Sequence, residues 1–318
     1  MNQSGHSESS TTETGSAAAT PTWPDLLAAP PAFQVNAFDD LVLCMHPDAE
    51  RDWRDAIPHA PAAVLSAFVV QTPQGPWHRD APDVVVWESV HREIEAKVQE
   101  VMSQRPKRIH LVAKTPYSLG ALLGAQLAPQ NHQLLVYQHD NLEGSRDQKV
   151  WRPWGPTWPA APGLRSADFF EMPPGMDRCR PEETGNLAVV VDITGRSNLE
   201  SCVLAVRERY GEDGGSVRPV QIRAKLTGQG AIRQPADADK ASTELAELLQ
   251  LLSESFPNAR LHVFYYGPLA VLIRASCGLS LRRTPIILWE AVYPNSQAQW
   301  IPAILFPEGR LLIADPRR

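Results

Sequence analysis

One stretch of this chain occurs twice, 152 residues apart. Arg108-Ile109-His110-Leu111 leads to Pro116, and Arg260-Leu261-His262-Val263 leads to Pro268 at the same spacing. The correspondence continues without a gap: Leu127 falls on Leu279, Leu134-Leu135-Val136-Tyr137 on Ile286-Ile287-Leu288-Trp289, and Gln138 on Glu290. Upstream, each copy follows a helical pattern ending in a short proline-containing turn, Arg105-Pro106 and Phe256-Pro257. Each copy reads as a strand, a helix opened by proline, and a second strand. Proline suits the first turn of a helix, where an N–H has no partner to lose. A right-handed crossover of this kind makes neighbouring parallel strands. The repeat therefore predicts an α/β protein of two Rossmann-type halves with parallel sheets, related by an internal pseudo-twofold. Such sheets bind ligands outside the carboxyl ends of their strands. Halves whose strand ends converge would form one composite pocket, and halves that do not would be a duplicated scaffold without a shared site. Spacing alone leaves both open.

The remaining elements are read from periodicity. Strands are expected at Leu41–Met45, Ala63–Val70, Arg108–Ala113 and Leu134–Tyr137. A weak helix start lies at Pro47–Ile57, and stronger helical patterns at Trp87–Ser103 and Pro116–Leu127. In Trp87–Ser103, Val90, Ile94, Val98 and Val101 recur at helical spacing with charges between them. The second half starts with the apolar run Leu187–Ile193, as expected of a parallel strand buried on both faces. A helix at Asn198–Tyr210 follows, with Ser197 as its expected N-cap. Then come the strand Val217–Leu226, the helix Thr243–Phe256, the strand Arg260–Tyr265, a helix from Pro268 and the strand Pro285–Glu290. Trp300–Phe306 and Arg310–Ile313 form a hairpin around Pro307-Glu308-Gly309. Gly120–Gly124 falls mid-helix and reads as helix packing rather than a phosphate loop.

The Trp- and Pro-rich segment Trp151–Glu182 fits neither a helix interior nor a central strand. It divides the chain into a tail over 1–34 (with a Pro-rich arm at Thr22–Phe33), a first half over 35–150, a linker over 151–184 and a second half over 185–318.

Several function classes fall away. A net charge of −6 argues against a broad DNA-binding surface, and no apolar run reaches the ~18 residues that span a bilayer. Residues 1–20 lack the apolar core of a signal peptide. The four cysteines, Cys44, Cys179, Cys202 and Cys277, contain no CxxC pair, so a cytoplasmic protein with reduced thiols and no zinc site is expected. Neither GxGxxG, Walker A, GxSxG nor HExxH occurs, which points away from an enzyme and assigns no catalytic residue, metal ligand or cofactor.

Leu261-His262-Val263-Phe264, then Gly267-Pro268-Leu269-Ala270, then Leu288-Trp289-Glu290, Tyr293 and Trp300 resemble the SAVED domain family. Leu187–Asn198 resembles that family's first strand and its polar loop. SAVED domains are fused pairs of CARF-like (CRISPR-associated Rossmann fold) modules of bacterial anti-phage defence. The resemblance is clearer over roughly residues 180–306 than over 35–150, and it implies that 35–318 form one SAVED domain. It further implies recognition of a cyclic oligonucleotide made by a CBASS nucleotidyltransferase or a CRISPR complex, followed by self-association into an oligomer or filament. The family's usual fused nuclease, TIR, protease or membrane domain has no room here, so the effector is expected on another chain. The alternatives are a ring nuclease or nucleotide hydrolase on the same scaffold, and an adaptor that sequesters ligand without assembling.

A cyclic oligonucleotide offers phosphates to helix N-termini and basic side chains, and bases to aromatic platforms. The candidate ligand-binding residues are Lys114, Thr115 and Tyr117 at the first strand-to-helix junction, and Tyr266, Gly267 and Pro268 at its repeat. Thr194, Gly195, Arg196 and Ser197 follow the strand Leu187–Ile193, and Gln138, Glu290 and Tyr293 follow the last strands of the two repeats. Trp151 and Trp154 could stack on a base or cover a sheet edge. His110 and His262 recur inside strands and read as core or interface histidines.

Overall fold

The computed structural model describes residues 40–46, 67–71, 84–128, 132–141, 149–154, 169–171, 173, 185–211, 216–228, 231–232, 235–277, 279, 284–293 and 298–313. The expected tail, the Pro-rich arm, the Pro47–Ile57 helix start and most of the 151–184 linker lie outside them.

The first sheet holds β1 (Asp40–His46), β2 (Ala67–Gln71), β3 (Arg108–Ala113), β4 (Gln133–Asn141) and β5 (Lys149–Trp154), in the order β2-β1-β3-β4-β5. The second holds β6 (Gly185–Asp192), β7 (Val217–Arg223), β8 (Ala259–Tyr266), β9 (Ile286–Val292), β10 (Gln299–Phe306) and β11 (Arg310–Leu311), in the order β11-β10-β9-β8-β6-β7. Strand for strand, β2-β1-β3-β4-β5 corresponds to β7-β6-β8-β9-β10. Pairing is parallel throughout both series until the last strand, β5 or β10, which runs antiparallel. β5 straddles the expected boundary at 150, and its Pro153 is tolerated because β5 is an edge strand.

The helices are α1 (Val84–Ser103), α2 (Tyr117–Gln126), α3 (Leu199–Tyr210), α4 (Pro235–Ser255) and α5 (Leu269–Ser276). On α1 the buried residues Trp87, Val90, Ile94, Val98 and Val101 follow the helical period and form one core-facing stripe. α2 and α5 differ: every residue from Ser118 to Ala125, and from Ala270 to Ser276, is buried. A helix buried on all sides needs cover from two directions, and these two lie against each other at the join of the halves. Gly120 and Gly124 allow the approach. A Cβ on Gly124 would lie 1.9 Å from the Ile273 carbonyl oxygen, and one on Gly120 would lie 2.6 Å from Leu269 Cδ1. A single apolar cluster then runs from Leu41 through Leu119, Leu122 and Ile273 to Phe306, and residues 35–318 form one compact unit.

The repeat reappears as a duplicated polar ladder inside the sheets. His110 on β3 meets Asp40 Oδ1 on β1 through Nε2 (3.2 Å) and the Tyr137 hydroxyl on β4 through Nδ1 (3.0 Å). His262 on β8 meets Asn186 Oδ1 on β6 through Nε2 (2.9 Å), while its Nδ1 accepts from Trp289 Nε1 on β9 (3.1 Å). Each imidazole is thus satisfied at both nitrogens by its two neighbouring strands, which is what burial of a polar ring requires. These are core histidines.

Both repeat helices begin where the prolines predict, with Pro116 and Pro268 as N-caps of α2 and α5. At α3 the cap differs from expectation. Asn198, not Ser197, occupies that position, and its side chain accepts from the Ser201 N–H at 3.0 Å. Ser197 is held elsewhere. The terminal hairpin forms as expected, turning at Gly309 (φ +66°), whose carbonyl oxygen accepts from His91 Nε2 on α1 at 2.7 Å.

Candidate functional site

The two junctions predicted by the repeat meet. Lys114-Thr115-Pro116-Tyr117 follows β3, and Tyr266-Gly267-Pro268 follows β8, both at the carboxyl ends of parallel strands. The Tyr117 hydroxyl donates to the Gly267 carbonyl at 2.8 Å, joining the two halves. The next residue makes a second link: the Ser118 N–H and Oγ–H both donate to Glu290 Oε2, each at 2.9 Å. Beneath them, Tyr265 packs edge-on against Tyr117 (centroids 5.3 Å apart) and donates its hydroxyl to the Pro268 carbonyl at 2.7 Å. A Cβ on Gly267 would lie 2.5 Å from that hydroxyl, so glycine is required here by close packing.

Beside this junction the loop after β6 is organised by one carboxylate. Asp192 accepts from the Gly195 N–H (2.7 Å), the Ser197 hydroxyl (2.7 Å) and, at longer range, the Ser197 N–H and Thr194 hydroxyl (3.4 Å each). The Gly195 and Ser197 N–H groups therefore turn inward, and the Arg196 side chain between them is exposed. Gly195 adopts φ +73°, the left-handed region glycine supplies. The Ile193 N–H donates to the Tyr266 carbonyl at 2.8 Å and holds this loop against the β8 junction. Asp192→Ala would leave these donors without an acceptor, so a loss of about 1–3 kcal/mol is expected in urea unfolding. Asp192→Asn, which keeps one acceptor oxygen, is expected to lose less.

Burial sets the titration of the site. Glu290 is 4% exposed, and desolvation pushes its carboxyl up to about 7 against the lowering effect of the Ser118 and Tyr117 hydrogen bonds. Desolvation likewise pushes Tyr117 up to about 12, with the Glu290 and Tyr293 charges adding to it. The Ser118 hydroxyl is completely buried, so with Glu290 it forms a joint rather than a nucleophile within reach of substrate.

Of the candidates, Tyr117, Gly267, Pro268 and Glu290 come together across the halves, with Thr194–Ser197 and Tyr266 adjoining them. Lys114 is exposed, and Thr115 is half-buried with its Oγ1 unpartnered among the described residues. Tyr293 is 43% exposed at the end of β9 and acts electrostatically on both Tyr117 and Tyr266. Gln138 lies on β4 opposite Arg152, at the carboxyl end of the first sheet, and Trp151 pairs with His139 at the same level. Trp154 pairs with Val136, in the middle of the sheet. The side chains of Gln138, Trp151 and Trp154 lie outside the description. Two residues escaped the sequence reading. Asp192 had a signal, an acid closing an apolar strand before Thr-Gly-Arg-Ser, which is loop-capping chemistry. Ser118 had none, because its repeat counterpart is Ala270.

No protein-family profile and no characterised protein matches the sequence at a significant level. Solved structures do match. The Acinetobacter baumannii Cap4 SAVED/CARF-domain containing receptor with the cyclic trinucleotide 2'3'3'-cAAA aligns with a TM-score of 0.52 at 12% identity, over 84% of this chain and 51% of that one. The same receptor with 3'3'3'-cAAA gives 0.50 at 13% identity, over 84% and 52%. The fold is the SAVED/CARF fold. This chain spans about half the length of those receptors. At such identity the likeness lies in the backbone. Among the described residues no helix is long and apolar enough to cross a membrane.

Proposed function

We propose that this chain is a cytoplasmic sensor that binds a cyclic oligonucleotide second messenger, a di-, tri- or tetranucleotide, at the mouth between its two halves. Binding drives self-association, and the assembly activates a separately encoded effector (a protease, nuclease, TIR or membrane protein) in anti-phage defence. The reading rests above all on the link from Tyr117 to Gly267, which joins two duplicated strand-to-helix junctions in the fold of receptors solved with cyclic trinucleotides. Lys114 and Arg196 are exposed cations at that level, suited to phosphate, and Tyr266 and Tyr293 offer aromatic faces to bases.

Titration calorimetry over a panel of cyclic di-, tri- and tetranucleotides tests it, with one ring expected to bind and the others to give little heat. Lys114→Glu and Arg196→Glu are each expected to weaken that binding about ten- to a hundredfold, the value of a charged hydrogen bond. Unchanged affinity in both folded variants would remove these residues from the site. Light scattering with and without the ring measures assembly, and a labelled ring recovered intact by chromatography separates a sensor from a ring nuclease. Absence of heat from the whole panel would end the proposal.

A further inference from the structure

The two links at the paired junctions are one-sided. Donors come from the first turn of α2, at Tyr117 and Ser118, and acceptors from the second half, at Gly267 and Glu290. At the corresponding repeat positions stand Leu269 and Ala270, which have no side-chain donor, and Gln138, which has no charge. The first turn of α2 is therefore fixed to the opposite half at the Gly267 carbonyl and at one carboxylate, Glu290, directly below the junction that presents Lys114 and Thr115. Tyr117 from α2 and Tyr293 at the end of β9 are the titratable neighbours, and Tyr265 from β8 packs behind Tyr117. β10 contributes Ile301 opposite Glu290. Lys114 is the exposed cation of the same junction.

We propose that the Glu290–Ser118 joint is a latch that positions the mouth, and that ligand affinity follows the charge on Glu290. This inference rests on the cyclic-oligonucleotide reading above. Ionised, the carboxylate grips the two Ser118 donors with charge-assisted bonds and sets a buried negative charge below the mouth. Protonated, it keeps an accepting oxygen but presents no charge to a polyanion. Binding an anionic ring therefore raises the proton affinity of Glu290, and complex formation takes up a fraction of a proton near pH 7. Glu290 is a positioning residue: it holds α2 through Ser118 and acts on the ligand by its charge, without touching it.

Calorimetry of the full chain at pH 6 and pH 8 tests the latch, using 2'3'3'-cAAA, 3'3'3'-cAAA and the rest of the ring panel. Buffers of differing ionisation enthalpy count the protons taken up. The wild type is expected to bind about tenfold more weakly at pH 8, with proton uptake at pH 7. Glu290→Gln keeps the accepting oxygen and is expected to bind equally at both pH values without uptake. Ser118→Ala, which keeps the backbone donor, is expected to retain a reduced pH dependence and serves if Glu290→Gln fails to fold. A ring that binds with the same pH profile to wild type and to the folded variants overturns the latch and leaves the sensor reading standing. No heat from any ring at either pH overturns the sensor reading, and the latch falls with it.

Discussion

Alanine at Gly124 is expected to lower the midpoint of urea unfolding far more than alanine at Gly120. On propensity alone both changes should stabilise α2, since glycine inside a helix costs up to about 1 kcal/mol relative to alanine. At Gly124 the new Cβ would lie 1.9 Å from the Ile273 carbonyl oxygen and 2.8 Å from its carbon. Those are backbone atoms of a helix buried on all sides, so relief requires α2 and α5 to separate, and the shared core opens with them. Overpacking costs about 1–3 kcal/mol in general, and this site is expected at or above the upper end. At Gly120 the obstacle is Leu269 Cδ1, the free end of a side chain that can change rotamer, with Ile273 Cγ1 at 3.3 Å behind it. The net effect there is expected within about 1 kcal/mol of wild type. Equal midpoints for the two variants would show that the α2–α5 seam does not hold the halves together.

Acid is expected to unfold the protein through His262, after a plateau that Glu290 creates. Desolvation holds the His262 imidazole down to about 3, and its Nδ1 already accepts from the Trp289 N–H, so a proton there would set donor against donor. A histidine whose folded pKa is lowered contributes stability that is complete above its unfolded pKa of 6.5 and is lost as the pH falls towards 3. At about 1.4 kcal/mol per pH unit that interval amounts to about 5 kcal/mol. His110 and His132, also lowered by burial, act in the same direction. Glu290 acts in the opposite sense. Its pKa is raised from 4.5 to about 7, so folding gains about 3 kcal/mol as the pH falls from 7 to 4.5. Wild-type stability should stay nearly level across that range and collapse below it, whereas Glu290→Gln should decline steadily from pH 6.5. His262→Gln should show the smallest loss between pH 4.5 and 3. Urea midpoints at pH 8, 6, 5 and 4, with a final point near 3, measure all three. Coincident curves for wild type and His262→Gln would refute the role of the histidine.

How much of this was legible in the sequence depends on how far each interaction reaches. The 152-residue offset aligned His110 with His262 and Tyr137 with Trp289, and those are the partners in the two buried ladders. The third member of each, Asp40 or Asn186, lies outside the aligned segment and becomes visible only once β1 is paired with β3 and β6 with β8. Pro116 and Pro268 marked both helix starts because proline acts through its own backbone. Ser197 and Asn198 are both ordinary caps, and tertiary context decided between them: Asp192 took the serine. The joint between Ser118 and Glu290 connects residues 172 apart on opposite halves. Its geometry is set by the packing of α2 on α5, which no local pattern expresses. The same holds for Gly124, recognisable as a packing glycine but not as one pressed against a particular carbonyl.

The hydrogen bond from His91 to Gly309 spans 218 residues of chain. At ribosomal speeds of about 5–20 residues per second, α1 emerges roughly 10 to 40 s before the carbonyl it will hold. α2, apolar on every side, waits nearly as long for α5. The nascent first half thus carries this apolar helix uncovered for roughly 8 to 30 s, until α5 has emerged to pack on it.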